Sequence, residues 1–352
     1  MRYIRISCPD EGYCAFPDVV RTAHGRLVCA YREGDGHVAR VYSRLVLWTS
    51  DDGGERWSDP RILAHHDAGD DLGGWESWNC PRLARLRDGL LVLCCDYVRR
   101  LRPDAAELAA EAETFLWWSG DEGETWDGPR PTGVHGIVPD RVTETRAGTL
   151  LLLSHREHPR TGVLAQYASC SDDGGRTWQV PVVVAHDGIH QLCEASEASV
   201  VQLRDEAGTL VCYLRENSGR GLVGYKSLST DGSRTWQGPY PTALVGCHRP
   251  TAGLLASGAV LVTYGLLPGR WGNRDPHAAL EAQGSAAEAV QALQRVALMA
   301  LDHDAHPEPD GGYSGWVQLP DGAILCTYYI KDDQDNAQIR AVRFREEEIR
   351  LG

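Results

Sequence analysis

Short apolar runs with the length of β-strands recur in pairs along the whole chain, and a turn containing glycine separates the two runs of each pair. The run after the turn is rich in Leu, Val, Cys and Tyr, as in Gly148-Thr-Leu-Leu-Leu-Leu153. The turn glycines are about 59 residues apart on average and are Gly25, Gly89, Gly148, Gly208, Gly258 and Gly322. Six antiparallel units of this size, with about four strands each, predict an all-β fold, a six-bladed β-propeller.

The pattern continues to both ends of the chain, so residues 1–352 are predicted to form a single propeller domain. Two stretches rich in Ala and Glu, near residues 104–113 and 277–294, interrupt it. Their composition favours helices over strands. Both are predicted to be short helical insertions.

A second repeat has the pattern Ser-x-Asp-x-Gly-x-Thr-Trp and follows four of the strand-like runs. Its copies are Ser50-Asp-Asp-Gly-Gly-Glu-Arg-Trp57, Ser119-Gly-Asp-Glu-Gly-Glu-Thr-Trp126, Ser171-Asp-Asp-Gly-Gly-Arg-Thr-Trp178 and Ser229-Thr-Asp-Gly-Ser-Arg-Thr-Trp236. Such a segment predicts a tight turn, in which Asp accepts backbone N–H groups and Gly adopts a positive φ. The Trp is expected to pack the turn onto the strands below it.

These four segments resemble the Asp boxes of the sialidase (neuraminidase) superfamily, and the six units match the propeller of that superfamily. The resemblance covers essentially the whole chain. In the superfamily, Asp boxes lie on the rim of the propeller, away from the catalytic face. The resemblance therefore implies a structural role for the boxes and places any active site elsewhere.

Charge and composition restrict the possible partners. With 35 Lys and Arg against 49 Asp and Glu, the net charge is −14, which argues against a nucleic-acid partner. No apolar run is long enough for a signal peptide or a membrane span. The 11 cysteines are scattered and include no Cys-x-x-Cys pair, so a reducing cytoplasm is the expected location. No nucleotide-cofactor or metal-ligand motif is present, and we expect no cofactor.

Propeller geometry predicts where the site lies. In each blade the innermost strand begins at the face where the second strand ends, so residues at these two positions from all blades converge on one mouth of the central channel. The polar residues at these positions are candidates for binding substrate. They are Arg32, Asn79, Asp140, Arg141, His155, Arg215, His248 and Arg249, and Trp78 in a neighbouring loop is a candidate for stacking on a sugar.

The segment Gly312-Tyr-Ser-Gly-Trp316 resembles the part of the sialidases that presents a nucleophilic tyrosine. The resemblance implies that Tyr313 is the nucleophile. Because a phenol with an ordinary pKa near 10 is a poor nucleophile at pH 7, a carboxylate must accept its proton. Glu197 occupies the place of the superfamily's glutamate, and Arg215 matches one arginine of its carboxylate-binding triad.

The first blade departs from the superfamily. Ala15 stands at the position where the superfamily has the first arginine of its triad. Asp35 follows Glu33-Gly34, at a position where the superfamily has another arginine. Arg32 and Arg249 are candidates to supply the missing positive charge. The proton donor is then expected to be His37, Asp35 or Asp70.

We therefore expect an exo-glycosidase that acts on a terminal acidic sugar, either sialic acid or a related keto acid or uronate. Two alternatives stay open. One is a lyase or isomerase that uses the same face of the propeller, because several histidines are predicted there. The other is a propeller that binds carbohydrate without catalysis, because a fold alone does not determine a function.

Overall fold

The computed structural model describes residues 1–7, 12–67, 75–100, 111–186, 195–218, 220–267 and 273–350. These residues form six antiparallel sheets arranged as the blades of a β-propeller. The prediction of a six-bladed all-β fold is confirmed. No helix in these ranges is long and apolar enough to cross a membrane.

The strands follow the chain from blade to blade. Strand β1 (Arg2–Arg5) comes first. The first blade contains β2 (Tyr13–Arg21), β3 (Leu27–Gly34), β4 (Tyr42–Ser50) and β5 (Arg61–Asp67). The second contains β6 (Trp75–Trp78), β7 (Arg82–Arg85), β8 (Leu91–Arg100), β9 (Glu111–Ser119) and β10 (Asp127–His135). The third contains β11 (Thr143–Glu144), β12 (Leu150–Glu157), β13 (Leu164–Ser171) and β14 (Val182–Ala185).

The remaining blades repeat this order. The fourth contains β15 (Ala195–Gln202), β16 (Leu210–Glu216), β17 (Tyr225–Ser229) and β18 (Gln237–Pro241). The fifth contains β19 (Cys247–Leu254), β20 (Val260–Leu266), β21 (Asp275–Glu281) and β22 (Val296–Ala300). The sixth contains β23 (Ser314–Gln318), β24 (Ile324–Ile330) and β25 (Gln338–Phe344), and its outermost strand is β1. The ring is thus closed by pairing the first strand with the last, with Ile4 opposite Ala341.

The core lies between adjacent blades, where one sheet packs on the next. Between the first two blades, Ala30 and Leu47 are buried with Leu93 and Trp117. The six turn glycines all adopt φ values between 63° and 101°, in the left-handed region that glycine occupies without a steric penalty. The glycine repeat therefore marks the turn between the first two long strands of each blade.

The four Asp boxes adopt the predicted turn. In the third copy, the backbone N–H of Gly175 donates to Ser171 Oγ at 2.9 Å, and that of Thr177 donates to Asp173 Oδ1 at 3.0 Å. In the fourth copy Ser233 replaces the glycine and still adopts a φ of 74°. Ser50 pairs with Leu27, at the end of the first blade away from Gly34. The boxes therefore lie at the opposite ends of the strands from the cavity described below.

The helical insertion predicted at 277–294 is wrong over its first part. His277–Glu281 belong to β21, which is hydrogen-bonded to β20 on one side and β22 on the other. Pairing on both edges overrides the helix propensity of the Ala-rich run. The helices that do follow are short: α1 (Gln283–Ala286) and a 3₁₀ turn (Gln291–Leu293). In the other predicted insertion, 104–110 lie outside the described residues, and 111–113 begin β9.

One further helix, α2 (Glu346–Arg350), follows β25 and packs against β21 and β22.

Candidate active site

In each blade the first and second strands are antiparallel, so the start of the first strand lies beside the end of the second. Tyr13 pairs with Gly34 in the first blade, and Ala195 pairs with Glu216 in the fourth. At this face the central channel opens into a cavity of about 410 Å³. Its polar lining consists of Arg32, His37, Ser77, Asn79, His155, Ser196, Glu197, Arg215, Asn217, His248, Arg274 and Tyr313.

A β-bulge at the start of the innermost strand recurs in several blades and turns side chains toward the central channel. Phe16, Val138, Glu197 and Arg249 occupy equivalent positions and have φ values of 59°, 50°, 39° and 49°. Residues other than glycine rarely adopt this conformation, which costs on the order of 1–3 kcal/mol at each position. In the fourth blade the register shifts between Ser196 and Ala198, which turns Glu197 out of the ladder.

Glu197 is the centre of the hydrogen-bonding in the cavity. Its Oε1 accepts the hydroxyl of Tyr313 at 2.6 Å and Nη1 of Arg215 at 2.5 Å. Its Oε2 is buried and has no partner among the described residues. The three residues assigned to catalysis and anion binding by resemblance are therefore in direct contact.

Burial and neighbouring charges set the protonation states of Tyr313 and Glu197. Burial raises the pKa of Tyr313 well above 10, and the negative charge of Glu197 raises it further. Burial alone would also raise the pKa of Glu197, but the guanidinium of Arg215 and the Tyr313 hydroxyl hold it well below the usual carboxyl range. At neutral pH the resting pair is therefore a protonated phenol beside an ionised carboxylate, as a nucleophile and its base require.

Two buried histidines face the same space in their neutral form. Burial lowers the pKa of His155 to about 4, and it lowers the pKa of His248 well below its usual value, as does the neighbouring Arg215. Neither ring nitrogen of His248 has a partner among the described residues, and the same is true of Ser196 Oγ. Buried polar groups without partners are rare. Their concentration in one cavity indicates a site for a polar ligand.

The buried histidines predict a pH-dependent stability. An unfolded histidine binds its proton near pH 6.5, whereas His155 does so near pH 4. Between these values the unfolded state binds more protons, so the free energy of unfolding falls as the pH drops, by about 3 kcal/mol for His155. Urea unfolding at pH 4.5 and 7 should show this loss and a smaller loss in His155→Gln. A variant with the wild-type pH dependence would contradict this origin, and exposed His135→Gln is the control.

Three arginines among the described residues that line the cavity give it a positive character. Besides Arg215, they are Arg32, whose Nη2 donates to the Gly36 carbonyl at 2.8 Å, and Arg274, whose Nη1 lies 3.4 Å from Asp310 Oδ1.

Sequence reasoning missed Arg274 and Asp310, because it considered only the start of each first strand and the end of each second strand. Arg274 precedes the third strand of its blade, and Asp310 lies in the loop before the sixth blade.

The structure brings eight of the sequence-predicted residues to this cavity: Arg32, His37, Asn79, His155, Glu197, Arg215, His248 and Tyr313. Asp70 lies outside the described residues. The remaining five do not line the cavity, and each has another role.

Asp35 is a loop-stabilising residue. Its Oδ1 accepts the backbone N–H groups of Arg40, Val41 and Tyr42, at 2.8, 3.0 and 3.4 Å. Such capture of backbone amides by an aspartate fixes the turn. The expectation that Asp35 donates a proton is therefore not supported by its position, and among the described candidates only His37 lies in the cavity.

Arg249, Asp140 and Arg141 lie deeper in the channel. Arg249 is fully buried, and its Nη1 and Nη2 donate to the carbonyls of Ala198 and Pro139, at 2.8 and 2.9 Å. Asp140 accepts the N–H of Val200 at 2.9 Å, and Arg141 forms two hydrogen bonds to Asp18. Their charged groups connect blades across the axis, so the expectation that they bind substrate is not supported.

Trp78 is also a core residue. Its ring is buried against Tyr97, Phe115 and Trp117, with ring centroids 4.6, 5.5 and 5.1 Å away. Trp75 and Trp78 are three residues apart in β6, so their side chains point to opposite faces of the strand. Of the two, Trp75 lines the cavity.

The fold and the cavity together define the class of the protein: a six-bladed β-propeller with Asp boxes at one end of its strands and a polar cavity at the other end, where the central channel opens. Within that class, residues 25–324 match the model of the BNR repeat-like domain family. The chain belongs to this family. No curated protein has significant sequence similarity to it.

Three solved structures illustrate the likeness. A protein of unknown function from Dyadobacter fermentans is 22% identical, with a TM-score of 0.78 and 97% of both chains covered. The NanB sialidase from Streptococcus pneumoniae is 11% identical, with a TM-score of 0.69, 98% of this chain covered and 70% of the sialidase. The intramolecular trans-sialidase from Ruminococcus gnavus is 16% identical, with a TM-score of 0.67 and coverage of 98% and 96%. At these identities the likeness establishes the fold.

Proposed function

We propose that the protein is a sialidase-type exo-glycosidase that acts on a terminal acidic sugar. The observation that carries this proposal is the contact of Tyr313 and Arg215 with the same carboxylate oxygen of Glu197, inside a cavity lined by two further arginines. The phenol and carboxylate supply a nucleophile and a base. The arginines supply the charge that selects an anion.

In the first half of the reaction, Tyr313 Oη attacks the anomeric carbon while Glu197 takes the phenolic proton. The bond from that carbon to the leaving oxygen breaks, and the leaving oxygen receives a proton from an acid in the cavity. In the second half, water attacks the same carbon and gives up a proton. The bond to Tyr313 breaks, and the phenol recovers its proton from Glu197. Two displacements at one carbon retain its configuration.

Arg215 connects binding to chemistry. In the resting site its guanidinium stabilises ionised Glu197, which weakens Glu197 as a base. A carboxylate of the substrate would share this guanidinium, because bidentate pairing with carboxylates suits arginine. Its hold on Glu197 would then weaken, and Glu197 would accept the Tyr313 proton more readily. A neutral sugar cannot produce this effect, so an acidic group contributes to both affinity and rate.

The charge balance of the site supports an anionic substrate. Overall the chain carries a net charge of −14, yet three arginines line the cavity against Glu197, the one carboxylate among its described lining residues, and Asp310, which lies behind the lining and pairs with Arg274. Because His155 and His248 are neutral at physiological pH, they add hydrogen bonding without charge. The cavity thus has a positive excess suited to one small anion.

A screen of aryl glycosides tests the proposal. We expect the protein to hydrolyse glycosides of sialic acid, a related keto acid or a uronate, and to leave the matched neutral glycosides intact. Release of the aryl group is followed by absorbance or fluorescence. Faster hydrolysis of a neutral glycoside than of every acidic one would contradict the proposed role of the arginines.

His248 favours a second candidate function, a lyase acting on an acidic sugar. Its ring is neutral, has no described hydrogen-bond partner and lies 5.6 Å from the ring of Tyr313, between centroids. A neutral imidazole beside a phenol is an acid–base pair capable of elimination. Product analysis separates the two functions. Hydrolysis incorporates oxygen from ¹⁸O-labelled water into the released sugar, whereas elimination leaves an unsaturated sugar that absorbs in the ultraviolet.

A further inference from the structure

His37 lies at the mouth of the cavity and is held by one carboxylate. Its Nδ1 is 2.6 Å from Oδ2 of Asp310, and its ring packs edge-on against Phe16 with centroids 5.4 Å apart. The side chain is 40% exposed. Unlike the buried histidines, it can therefore exchange protons with solvent.

Asp310 is bound by groups from several parts of the fold. Its Oδ2 also accepts the hydroxyl of Tyr13, and its Oδ1 lies 3.3 Å from the hydroxyl of Tyr329 and 3.4 Å from Arg274. Burial alone would raise the pKa of Asp310, but the contacts with His37, Tyr13 and Arg274 lower it to about 2. Asp310 is thus an ionised acceptor.

The state of Asp310 fixes the tautomer of His37. An ionised carboxylate only accepts hydrogen bonds, so His37 Nδ1 carries a hydrogen. The exchangeable position is then Nε2, which has no partner among the described residues. A carboxylate that orients an imidazole through Nδ1 sets the ring for proton transfer at Nε2.

The other groups around the cavity are unsuited to donating a proton. Glu197 is ionised and bound to Tyr313, whereas His155 and His248 are buried and lack the second proton. Asp35 is occupied by backbone amides. Of the described residues that line the cavity, this leaves His37 as the exposed titratable acid.

We propose that His37 is the general acid of this site and that Asp310 is its positioning residue. This inference rests on the proposed glycosidase function. As the bond from the anomeric carbon to the leaving oxygen breaks, its electron pair goes to that oxygen, which receives the Nε2 proton of the His37 imidazolium. The neutral Nε2 then takes a proton from the water that attacks the Tyr313-linked sugar. Each proton that is given up in one half of the reaction is recovered in the other, and His37 begins and ends the cycle as the imidazolium.

The charges facing His37 act in both directions. Asp310 and, farther away, Glu197 stabilise the imidazolium. Arg32 and Arg274 oppose it, and His248 is neutral. The phenols of Tyr13 and Tyr329 donate hydrogen bonds to Asp310 and keep its charge in place. Neutralising Asp310 therefore removes the nearest group that favours the proton on His37.

The kinetic test compares two substrates that share the acidic sugar and differ in the leaving group. His37→Gln should lose on the order of 10²- to 10³-fold in kcat/KM with an alkyl leaving group, which needs a proton. With a nitrophenyl leaving group, which departs without one, the loss should stay below about tenfold. Equal losses on both substrates would overturn the assignment. The control is His24→Gln, an exposed rim residue, which should behave as wild type on both.

Asp310→Asn tests the positioning role. The basic limb of its kcat/KM profile should move to lower pH, because an amide does not stabilise the imidazolium. A profile that falls uniformly without moving would indicate a merely structural role and overturn this part of the inference.

A measurement independent of turnover separates this inference from the proposed function. Long-range ¹H–¹⁵N NMR reports the tautomer and the titration midpoint of His37. We expect the Nδ1–H tautomer in the wild type and a lower midpoint in Asp310→Asn. An Nε2–H tautomer, or a midpoint unchanged by the substitution, would overturn the pairing. If no acidic glycoside is turned over but the NMR result holds, the glycosidase proposal fails and the His37–Asp310 pair stands.

Discussion

Replacing Tyr313 with Phe is expected to lower kcat on the best acidic glycoside by about 10³-fold or more, because the variant keeps the ring but lacks the nucleophilic oxygen. Glu197→Gln should cost a similar factor, since an amide cannot accept the phenolic proton. Because the two residues act as a unit, the double variant should be little slower than either single one. Steady-state kinetics on the three variants provides the measurement.

Tyr264→Phe is the matched control. Like the hydroxyl of Tyr313, the hydroxyl of Tyr264 is buried, but it has no hydrogen-bond partner among the described residues. Tyr264 lies in the core of the fourth and fifth blades and does not line the cavity. Its kcat should stay within about twofold of the wild type. If Tyr313→Phe were as active as Tyr264→Phe, the assignment of the nucleophile would be wrong.

The second large effect concerns stability. Asp18 is completely buried on the channel axis, where it accepts two hydrogen bonds from Arg141 and the backbone N–H of Leu83 at 2.9 Å. The Nε of Arg82 lies 3.5 Å away. Asp18→Asn keeps the shape of the side chain but removes the charge that faces buried Arg82 and Arg141, whose side chain is 20% exposed. Breaking a buried ion pair in this way typically costs about 3–5 kcal/mol. We expect a correspondingly lower urea midpoint at an unchanged slope.

Asp51→Asn is the comparison at the surface. Asp51 pairs with Arg26 at 2.7 Å, but its side chain is 70% exposed. Exposed ion pairs contribute about 0–1 kcal/mol. Equal losses in the two variants would show that the ion cluster on the axis is no more important for stability than a pair on the rim.

The fold could be predicted from the sequence because its repeats mark turns. A glycine at a positive φ and an Asp box are local features, so their residues determine the turn without help from distant parts of the chain. The helical prediction over 277–294 failed for the opposite reason. Whether His277–Glu281 form a strand depends on their neighbours β20 and β22, which lie elsewhere in the chain.

The candidate site was only partly predictable. Tyr313, Glu197 and Arg215 were placed by resemblance and by the expected convergence of the strands, and the structure brings them into contact. Arg249 lies at an equivalent position, but the carbonyls that occupy its guanidinium belong to other blades and cannot be recognised in a linear sequence. Asp310 was missed because its role depends on His37 and Arg274, which are far away along the chain.

Labelling of the nucleophile tests the central claim most directly. A fluorinated analogue of the acidic sugar with a good leaving group should react and then hydrolyse slowly, so that the sugar remains attached to the protein. Peptide mass spectrometry is expected to find the added sugar on Tyr313 in the wild type and no labelled peptide in Tyr313→Phe. Labelling of another residue, or equal labelling of the Tyr313→Phe variant, would contradict the account.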